Sequence, residues 1–324
     1  MSQPEKSVVV AGPLQNVSLA YKNPAYIARR IFNLLPNCPA KARIGLYLKG
    51  AWFRDEAGVR GPGSEARRGG YPTSYYSIQP VEYAFAKEVT DEDRRWASQQ
   101  GAFPVKPDQD AIEFATDKID LKIERVVSAM IFAGTWSGVN GADAAGAWAA
   151  GGNNTFIADV EAKKQYILSQ TGLKPNVLML TGNTLSALKQ ESSVLDKIKY
   201  TQMGVLTPAL IAAMLDLDEV LVGDSIYSSA KETKAGTDFT GVNIWEKNAG
   251  KGAAFLFYRP GSPGLKTPAA GYIAQENLVA NSPRRITTWR EESRKQDVYE
   301  VAESLDVVQT GPDLGYLWYD TILT

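Results

Sequence analysis

Histidine is missing from this chain of 324 residues, and cysteine occurs once, as Cys38. Without an imidazole there is no Ser-His-Asp or Cys-His nucleophile, no imidazole general base and no His-ligated zinc. A single thiol cannot close an intrachain disulfide, so the fold suits a reducing compartment, and a lone buried thiol is the expectation for Cys38. Neither sign of charge is in excess, with 35 Lys and Arg against 36 Asp and Glu. No global positive field draws such a chain onto nucleic acid or anionic lipid, so any DNA contact must be local. Long apolar runs are lacking too. The longest charge-free stretch, Val126 to Ala142, is broken by Ser128, Gly134, Thr135, Ser137, Gly138 and Asn140 and falls short of a membrane span. Met1 to Tyr21 has no basic leader and only the apolar run Val8 to Ala11, so a soluble protein without a secretory signal is expected.

What is present is enough for a sizeable core: 44% hydrophobic and 22% charged residues make an ordinary globular composition. The length suggests two domains, or one with large excursions. Residues 1–45 contain Pro4, Pro13, Pro24, Pro36 and Pro39 and few periodic apolar positions. That is the make-up of an extended arm, with room for one helical turn near Ala25 to Leu35. From Lys49 the chain is rich in glycine and arginine through Gly70, and such a stretch cannot pack as a core element. Val81, Tyr83, Phe85 and Val89 then share one face of a period-two pattern, opposite Glu82, Ala84, Ala86 and Glu88. Together these segments predict a long two-stranded excursion. Such a ribbon is marginal alone in water, so it is expected to lie on a neighbouring subunit.

Between Asp108 and about Trp136, Ile112, Ala115, Ile119, Ile123, Val126, Val127 and Met130 recur at helical spacing. Pro107 precedes the pattern and Gly134 and Gly138 can end it, which predicts a spine helix of roughly 40 Å. An alternating block follows, with a helix from Ile157 to Thr171 closed by Gly172, a strand from Val177 to Leu180 and a helix from about Asn183. Thr207 and Pro208 then cap a helix through Leu215, and strands run from Glu219 to Gly223 and Ala253 to Tyr258 before the block closes near Pro268. The last fifty residues return to strands, Ile286 to Arg290 and then a long one with Tyr299, Val301, Leu305 and Val307 on one side.

Chemical motifs are weak. Gly61, Gly63 and Ala66 have dinucleotide-fingerprint spacing, but neither strand nor helix is expected around them, so they read as a flexible loop. No phosphate-loop pattern occurs. Carboxylates cluster at Asp91, Glu92, Asp93, at Asp108, Asp110, Glu113 and at Asp216, Asp218, Glu219. Each group abuts a helix or strand end, where acids favour a helix dipole without any catalysis. In the excursion, Arg54, Arg60, Arg67 and Arg68 alternate with Asp55, Glu56 and Glu65, a mixed-sign pattern suited to complementary pairing across a subunit boundary.

An arm, a glycine-rich excursion, a spine helix, an inserted α/β block and a closing long strand form an order that resembles the major capsid proteins of tailed bacteriophages, with the Hong Kong 97-type fold. The resemblance rests on Arg54-Asp55-Glu56 and Arg60-Gly61-Pro62-Gly63, on Pro175-Asn176-Val177-Leu178, and on Val194-Leu195-Asp196-Lys197-Ile198 followed by Gly204-Val205-Leu206-Thr207. It continues through Val220 to Tyr227, Trp289-Arg290-Glu291-Glu292 and Asp297-Val298-Tyr299. It implies an α+β subunit with an N-terminal arm at 1–45, an E-loop hairpin at 46–90 and a peripheral domain at 91–174 containing the spine helix at about 108–136. An axial domain at 175–270 and the rest of the peripheral domain at 271–324 complete it.

The implied function is structural, not enzymatic and without cofactor or metal. Copies assemble as hexamers and pentamers into an icosahedral head in the bacterial host cytoplasm, become part of the virion, and contact packaged double-stranded DNA non-specifically. A separate scaffolding protein, a portal protein and, optionally, a decoration protein are the further partners, with no membrane. Arg54, Asp55, Glu56, Arg60, Glu65, Arg67 and Arg68 are the candidate intersubunit contacts. The chain starts close to the arm, which leaves little to cleave on maturation. Encapsulin-type compartments share the fold, but typically begin with a cargo-binding helix where this chain has a proline-rich start. A hydrolase using Asp216, Asp218 and Glu219 with a metal, and a monomeric binding module, are more distant readings. Some relatives join an E-loop lysine to a neighbour's asparagine, whereas here no lysine lies between Lys49 and Lys87. Electrophoresis of intact particles in denaturant is therefore expected to give a single band and no covalent ladder.

Overall fold

Periodicity becomes structure most directly in the middle of the chain, where a 27-residue helix forms from Pro107 to Ala133. A computed structural model describes residues 23, 26–99, 106–149, 151, 154–198, 206–231, 238–264, 266–279 and 282–322. In chain order the elements begin with α1 (Ala28–Ile31), β1 (Asn33–Leu35), β2 (Ala42–Tyr47), α2 (Lys49–Trp52), β3 (Thr73–Ile78), β4 (Val81–Thr90), α3 (Asp91–Ala97) and the long α4 (Pro107–Ala133). Next come β5 (Ala142–Asp143), α5 (Phe156–Thr171), β6 (Val177–Thr181), α6 (Gly182–Leu188), α7 (Ser192–Ile198), α8 (Pro208–Met214) and β7 (Glu219–Gly223). The remainder is β8 (Ile226–Ser228), β9 (Gly241–Asn243), β10 (Ala253–Phe257), β11 (Gly271–Glu276), β12 (Arg284–Glu291), β13 (Gln296–Gln309) and β14 (Gly315–Tyr319).

Two five-stranded sheets carry the subunit. The first runs β1-β11-β13-β12, with β4 also paired to β13. The fourteen-residue β13 reaches both ends of it: Val301 lies opposite Ile286 on one side and Phe85 on the other, while Val308 pairs with Tyr272. The second sheet, β5-β14-β10-β6-β7, is the centre of the α/β block. Its strand β6 is buried along its whole length, and β6 and β7 lie parallel across a crossover made by α6, α7 and α8. Gly172 closes α5 in the left-handed conformation, and the Thr207 hydroxyl accepts from Leu210 N ahead of Pro208 at the start of α8.

Four features differ from the sequence expectation. Val81–Thr90 is a strand of the first sheet paired along ten residues to β13, and the excursion returns instead through β3, paired with β2 from Ala42↔Ile78 to Tyr47↔Thr73. Residues 28–35 are not free arm: Ala28, Ile31 and Phe32 are buried, and β1 joins β11. The sheet of the α/β block is completed by β5 and β14, from outside 175–270. Helix α4 also stops three residues early, because Gly134 turns extended and Trp136 folds back to donate its Nε1–H to Ile131 O at 2.8 Å.

Along α4, Ala115, Ile119, Ile123, Val127 and Ile131 are all buried in the largest core cluster. Among them sits a carboxylate, Glu124, with no exposed surface. Four donors satisfy it: Ile27 N at 3.0 Å, Ala28 N at 2.9 Å, Ser225 Oγ at 3.0 Å and Trp245 Nε1 at 2.7 Å. A buried polar network of this kind is stabilising only while complete, since each orphaned donor costs about 1–3 kcal/mol. Glu124→Leu is accordingly expected to lower the unfolding free energy by at least about 3 kcal/mol in denaturant titration, and Glu124→Gln by less.

Candidate intersubunit surface

The ribbon β2–β3 leaves the body from a small apolar root in which Ile78, Ala274 and Val308 are buried and Cys38, Ala42, Ile44 and Tyr76 pack against them. Cys38 is only partly buried there, less than expected, and that burial raises its thiol pKa. Beyond the root, Gln79 N donates to Asp306 at 2.9 Å and Lys49 forms an ion pair with Asp313. Tyr47, Trp52 and Tyr71 gather with ring centroids 5.6–6.0 Å apart, and Lys266 stands over the rings of Tyr47 and Trp52 at 5.3 and 5.5 Å. An apolar cleft of about 660 Å³ remains between the ribbon and the body, lined by Leu46, Phe53, Leu173, Pro268 and Leu314 among others.

Between Phe53 and Tyr71 the stabilising contacts are few. All seven candidate contact residues, Arg54, Asp55, Glu56, Arg60, Glu65, Arg67 and Arg68, lie exposed in the irregular stretch 53–72. The structure brings them together only in pairs: Arg54 with Glu56 at 3.2 Å and Arg68 with Glu65 at 3.7 Å. Arg60 donates its Nε–H to Ser64 O at 2.6 Å across a turn in which Gly63 has φ 82°. No ion pair engages Arg60 or Arg67 among the described residues. Two glycines let the limbs of the loop lie side by side, since a Cβ at Gly58 would stand 3.2 Å from Arg67 and one at Gly69 2.5 Å from Glu56. Exposed ion pairs contribute about 0–1 kcal/mol each, so this loop is not held in place by its own charges. Gly61, Gly63 and Ala66 thus occupy a turn flanked by neither strand nor helix.

The carboxylate clusters resolve into caps and bridges. Thr90 and Asp93 form a reciprocal capping box at the start of α3. Asp108 takes Arg94 at 2.6 Å and the Tyr299 hydroxyl at 2.8 Å, and the Arg94 hydrogen bond holds its carboxyl below its ordinary range against the cost of burial. Asp91 is lowered chiefly by its hydrogen bond from Arg290. Burial acts to raise Glu219, yet Arg259 at 2.7 Å and Arg30 reverse the sign and hold it low. Asp218 accepts from Asn176 at 2.8 Å, and Asn176 in turn bonds the backbone of Arg259. Among the described residues no three Asp, Glu or Cys side chains converge to hold a metal ion, and no helix is long and apolar enough to cross a membrane.

One surface went unanticipated. Phe114 lies about 100° round α4 from Ala115 and so off the buried stripe, and Trp96 closes the adjoining side of the same hollow from α3. Both rings are exposed, Trp96 at 67% and Phe114 at 44%. The available signal was Phe114, an aromatic off the apolar stripe of the predicted spine helix.

No protein-family model matches the chain. The major capsid protein of Burkholderia phage BcepMu is 28% identical over 149 residues, which is 45% of this chain and 47% of that protein, so the match spans about half the length of this curated relative. A phage-related protein from Bordetella bronchiseptica RB50 superposes with TM-score 0.68 at 20% identity, covering 94% of this chain and 95% of that one. The capsid of Cyanophage P-SCSP1u gives 0.61 at 10% identity, covering 98% and 95%. An encapsulin from Synechococcus elongatus PCC 7942 gives 0.54 at 8% identity, covering 96% and 95%. The fold is therefore the Hong Kong 97-type α+β capsid fold over almost the whole chain. Because the four loop arginines are exposed and lie in an irregular stretch, trypsin is expected to cut isolated subunits after Arg54, Arg60, Arg67 or Arg68 well before Lys118, Lys122 or Arg125 of α4, as read by mass spectrometry of the early fragments.

Proposed function

We propose that this chain is the major capsid protein of a tailed bacteriophage. Copies assemble as hexamers and pentamers into an icosahedral head that encloses double-stranded DNA. The observation that carries the reading is the pairing of a capsid-type fold over almost the whole chain with a long ribbon whose tip is exposed among the described residues. In an oligomer built from heterologous contacts, each subunit extends over the next, and the ribbon gains the surface it lacks. In this reading the E-loop is the ribbon from Ala42 to Ile78, the peripheral domain is built on α4 and the first sheet, and the axial domain is the α/β block.

The role is structural, not enzymatic. Many weak contacts repeated over a closed shell hold it where no single one could. Contacts to packaged DNA are local and non-specific, in keeping with a formal net charge of -1. A separate scaffolding protein, a portal protein and, optionally, a decoration protein complete the partners, and assembly in the host cytoplasm precedes residence in the virion. An encapsulin-type compartment is the second reading, favoured by the likeness to the encapsulin fold.

The test is expression of the chain with and without its neighbouring genes, followed by sedimentation and negative-stain electron microscopy. Shells or six-fold and five-fold capsomers are the expected outcome, and their contents separate a viral head from a protein compartment. A stable 35 kDa monomer in both preparations overturns the proposal.

A further inference from the structure

Cations and acids lie on different sides of α4. Lys118, Lys122 and Arg125 fall within about 60° of one another round the helix axis, and all three are exposed. Each stands over an aromatic ring: Lys118 over Phe114 at 5.0 Å, Lys122 over Tyr83 at 5.3 Å and Arg125 over Tyr227 at 4.2 Å. No carboxylate among the described residues forms an ion pair with any of the three. The acids of the helix are engaged elsewhere. Asp108 takes Arg94, Asp120 takes Arg29 and Arg284, Asp117 accepts from the Tyr26 hydroxyl at 3.1 Å, and Glu124 is in the core. Asp110 and Glu113 belong to the first two turns, before the row of cations begins.

Strand β4, on which α4 packs, is divided in the same sense. Tyr83, Phe85 and Lys87 share the face turned to the helix, where Phe85 meets Phe114 with centroids 5.8 Å apart, and Lys87 extends the row of exposed cations beyond Phe114. Glu82 and Glu88 point to the other side of the sheet, together with Glu300 of β13, which lies opposite Ala86. Only Arg285 answers them there, pairing with Glu82 and Glu300. The first sheet and its helix therefore present one face that is cationic and floored by aromatic rings, and an opposite face that is acidic.

We infer that Lys87, Lys118, Lys122 and Arg125 form the surface that meets the phosphate backbone of double-stranded DNA. The inference rests on the shell reading and deepens it by saying which side of the subunit is turned to the packaged duplex, with the acidic sheet face turned away. A duplex carries one negative charge for about every 1.7 Å of its axis, so a straight row of cations meets phosphates in any register and reads no base. From Lys118 to Arg125 the row runs about 10 Å along the helix. The rings beneath support the cations without neutralising them, whereas carboxylate partners would compete with the phosphates. A chain of formal net charge -1 can thus hold a polyanion, because the few cations required are gathered on one face and the acids near them are occupied inside the subunit.

The test measures binding of the full-length chain, taken before shell assembly, to fluorescein-labelled duplexes of two unrelated sequences, by anisotropy from about 50 to about 200 mM salt. The two sequences are expected to bind alike. Lys118→Gln with Lys122→Gln and Arg125→Gln is expected to weaken binding at least about tenfold at the lower salt and to flatten the slope of log K against log salt by about 3. A matched triple on exposed cations of the α/β block, Lys174→Gln with Lys189→Gln and Lys197→Gln, removes the same charge and is expected to change the affinity less than about twofold. Glutamine keeps the helix propensity of lysine and arginine. Should the α4 triple melt early by circular dichroism, each single substitution decides instead, with an expected fall in slope of about 1. No binding by the wild-type chain, no loss in the α4 triple, or equal loss in both triples overturns the assigned face, while shells seen by electron microscopy keep the shell reading. Polyglutamate displacing the labelled duplex as readily as unlabelled duplex at equal charge gives the face to an acidic protein and overturns the DNA assignment. A chain that binds as expected but never forms shells sinks the shell reading and supports the face.

Discussion

The stripe of Ala115, Ile119, Ile123, Val127 and Ile131 on α4 is the surface onto which both halves of the subunit close. On one side it packs against β4 and β13. The same core cluster reaches Val177, Met179, Phe255 and Trp245 of the α/β block and Ile27, Ile31 and Phe32 of the N-terminal segment. A stripe of small and β-branched side chains lets these elements approach closely, but apolar contact alone is non-directional. Glu124 supplies the direction. Its carboxylate can be satisfied only when the backbone at Ile27 and Ala28, the Ser225 hydroxyl and the Trp245 indole arrive together. One buried charge on the spine thereby fixes the N-terminal segment and the α/β block in a single arrangement, at the cost of severe destabilisation whenever one partner is missing.

A second polar tie works in the same way on the opposite flank. Glu303 of β13 is almost fully buried and accepts both oxygens' worth of donors from Arg29, at 2.8 and 2.9 Å, with Arg284 at 3.0 Å and Gln275 at 2.8 Å. Asp120 of α4 shares the two arginines. The spine and the N-terminal segment are thus joined twice, once through Glu124 and once through Glu303 and Asp120, and the second tie brings in the first sheet. This explains why residues 28–35 belong to the core although the prolines on either side suggest a free arm.

Local rules made much of this fold legible. Pro107 at the start of α4, Gly172 at the end of α5 and Thr207 before Pro208 at α8 each act through chemistry confined to a few residues, and each stands where the sequence places it. Pairing partners were less legible. Val81–Thr90 has the alternation of a strand, but nothing in its ten residues states that its partner is Gln296–Leu305, more distant in sequence than the ribbon it follows. The Thr73–Ile78 strand was obscured for the opposite reason: Thr, Ser and Tyr alternate there without a marked apolar face, because neither face of the ribbon is deeply buried in the subunit. The exposure of the seven charged loop residues was legible from composition, since a stretch of glycine and mixed charge has little to bury. Trp96 and Phe114 were passed over because an amphipathic reading searches for the buried stripe and discards aromatics that fall outside it.

The loop is built from charge and glycine instead of apolar side chains, and specificity gives a reason. A ribbon with a greasy tip would associate with any exposed apolar surface, including another ribbon, and would close wrong contacts as readily as right ones. Charged pairs at an interface rim discriminate between partners more than they add affinity, and they weaken with salt over a Debye length of about 8–10 Å. On the proposed shell reading, a subunit whose body holds together through buried networks at Glu124 and Glu303, and whose contacts outward are made by exposed Arg54, Arg60, Arg67 and Arg68, separates two tasks. Folding is settled inside the subunit by interactions that tolerate no missing partner. Association in such a shell would be left to contacts that are individually weak and reversible, so that misplaced copies could leave before a closed particle trapped them.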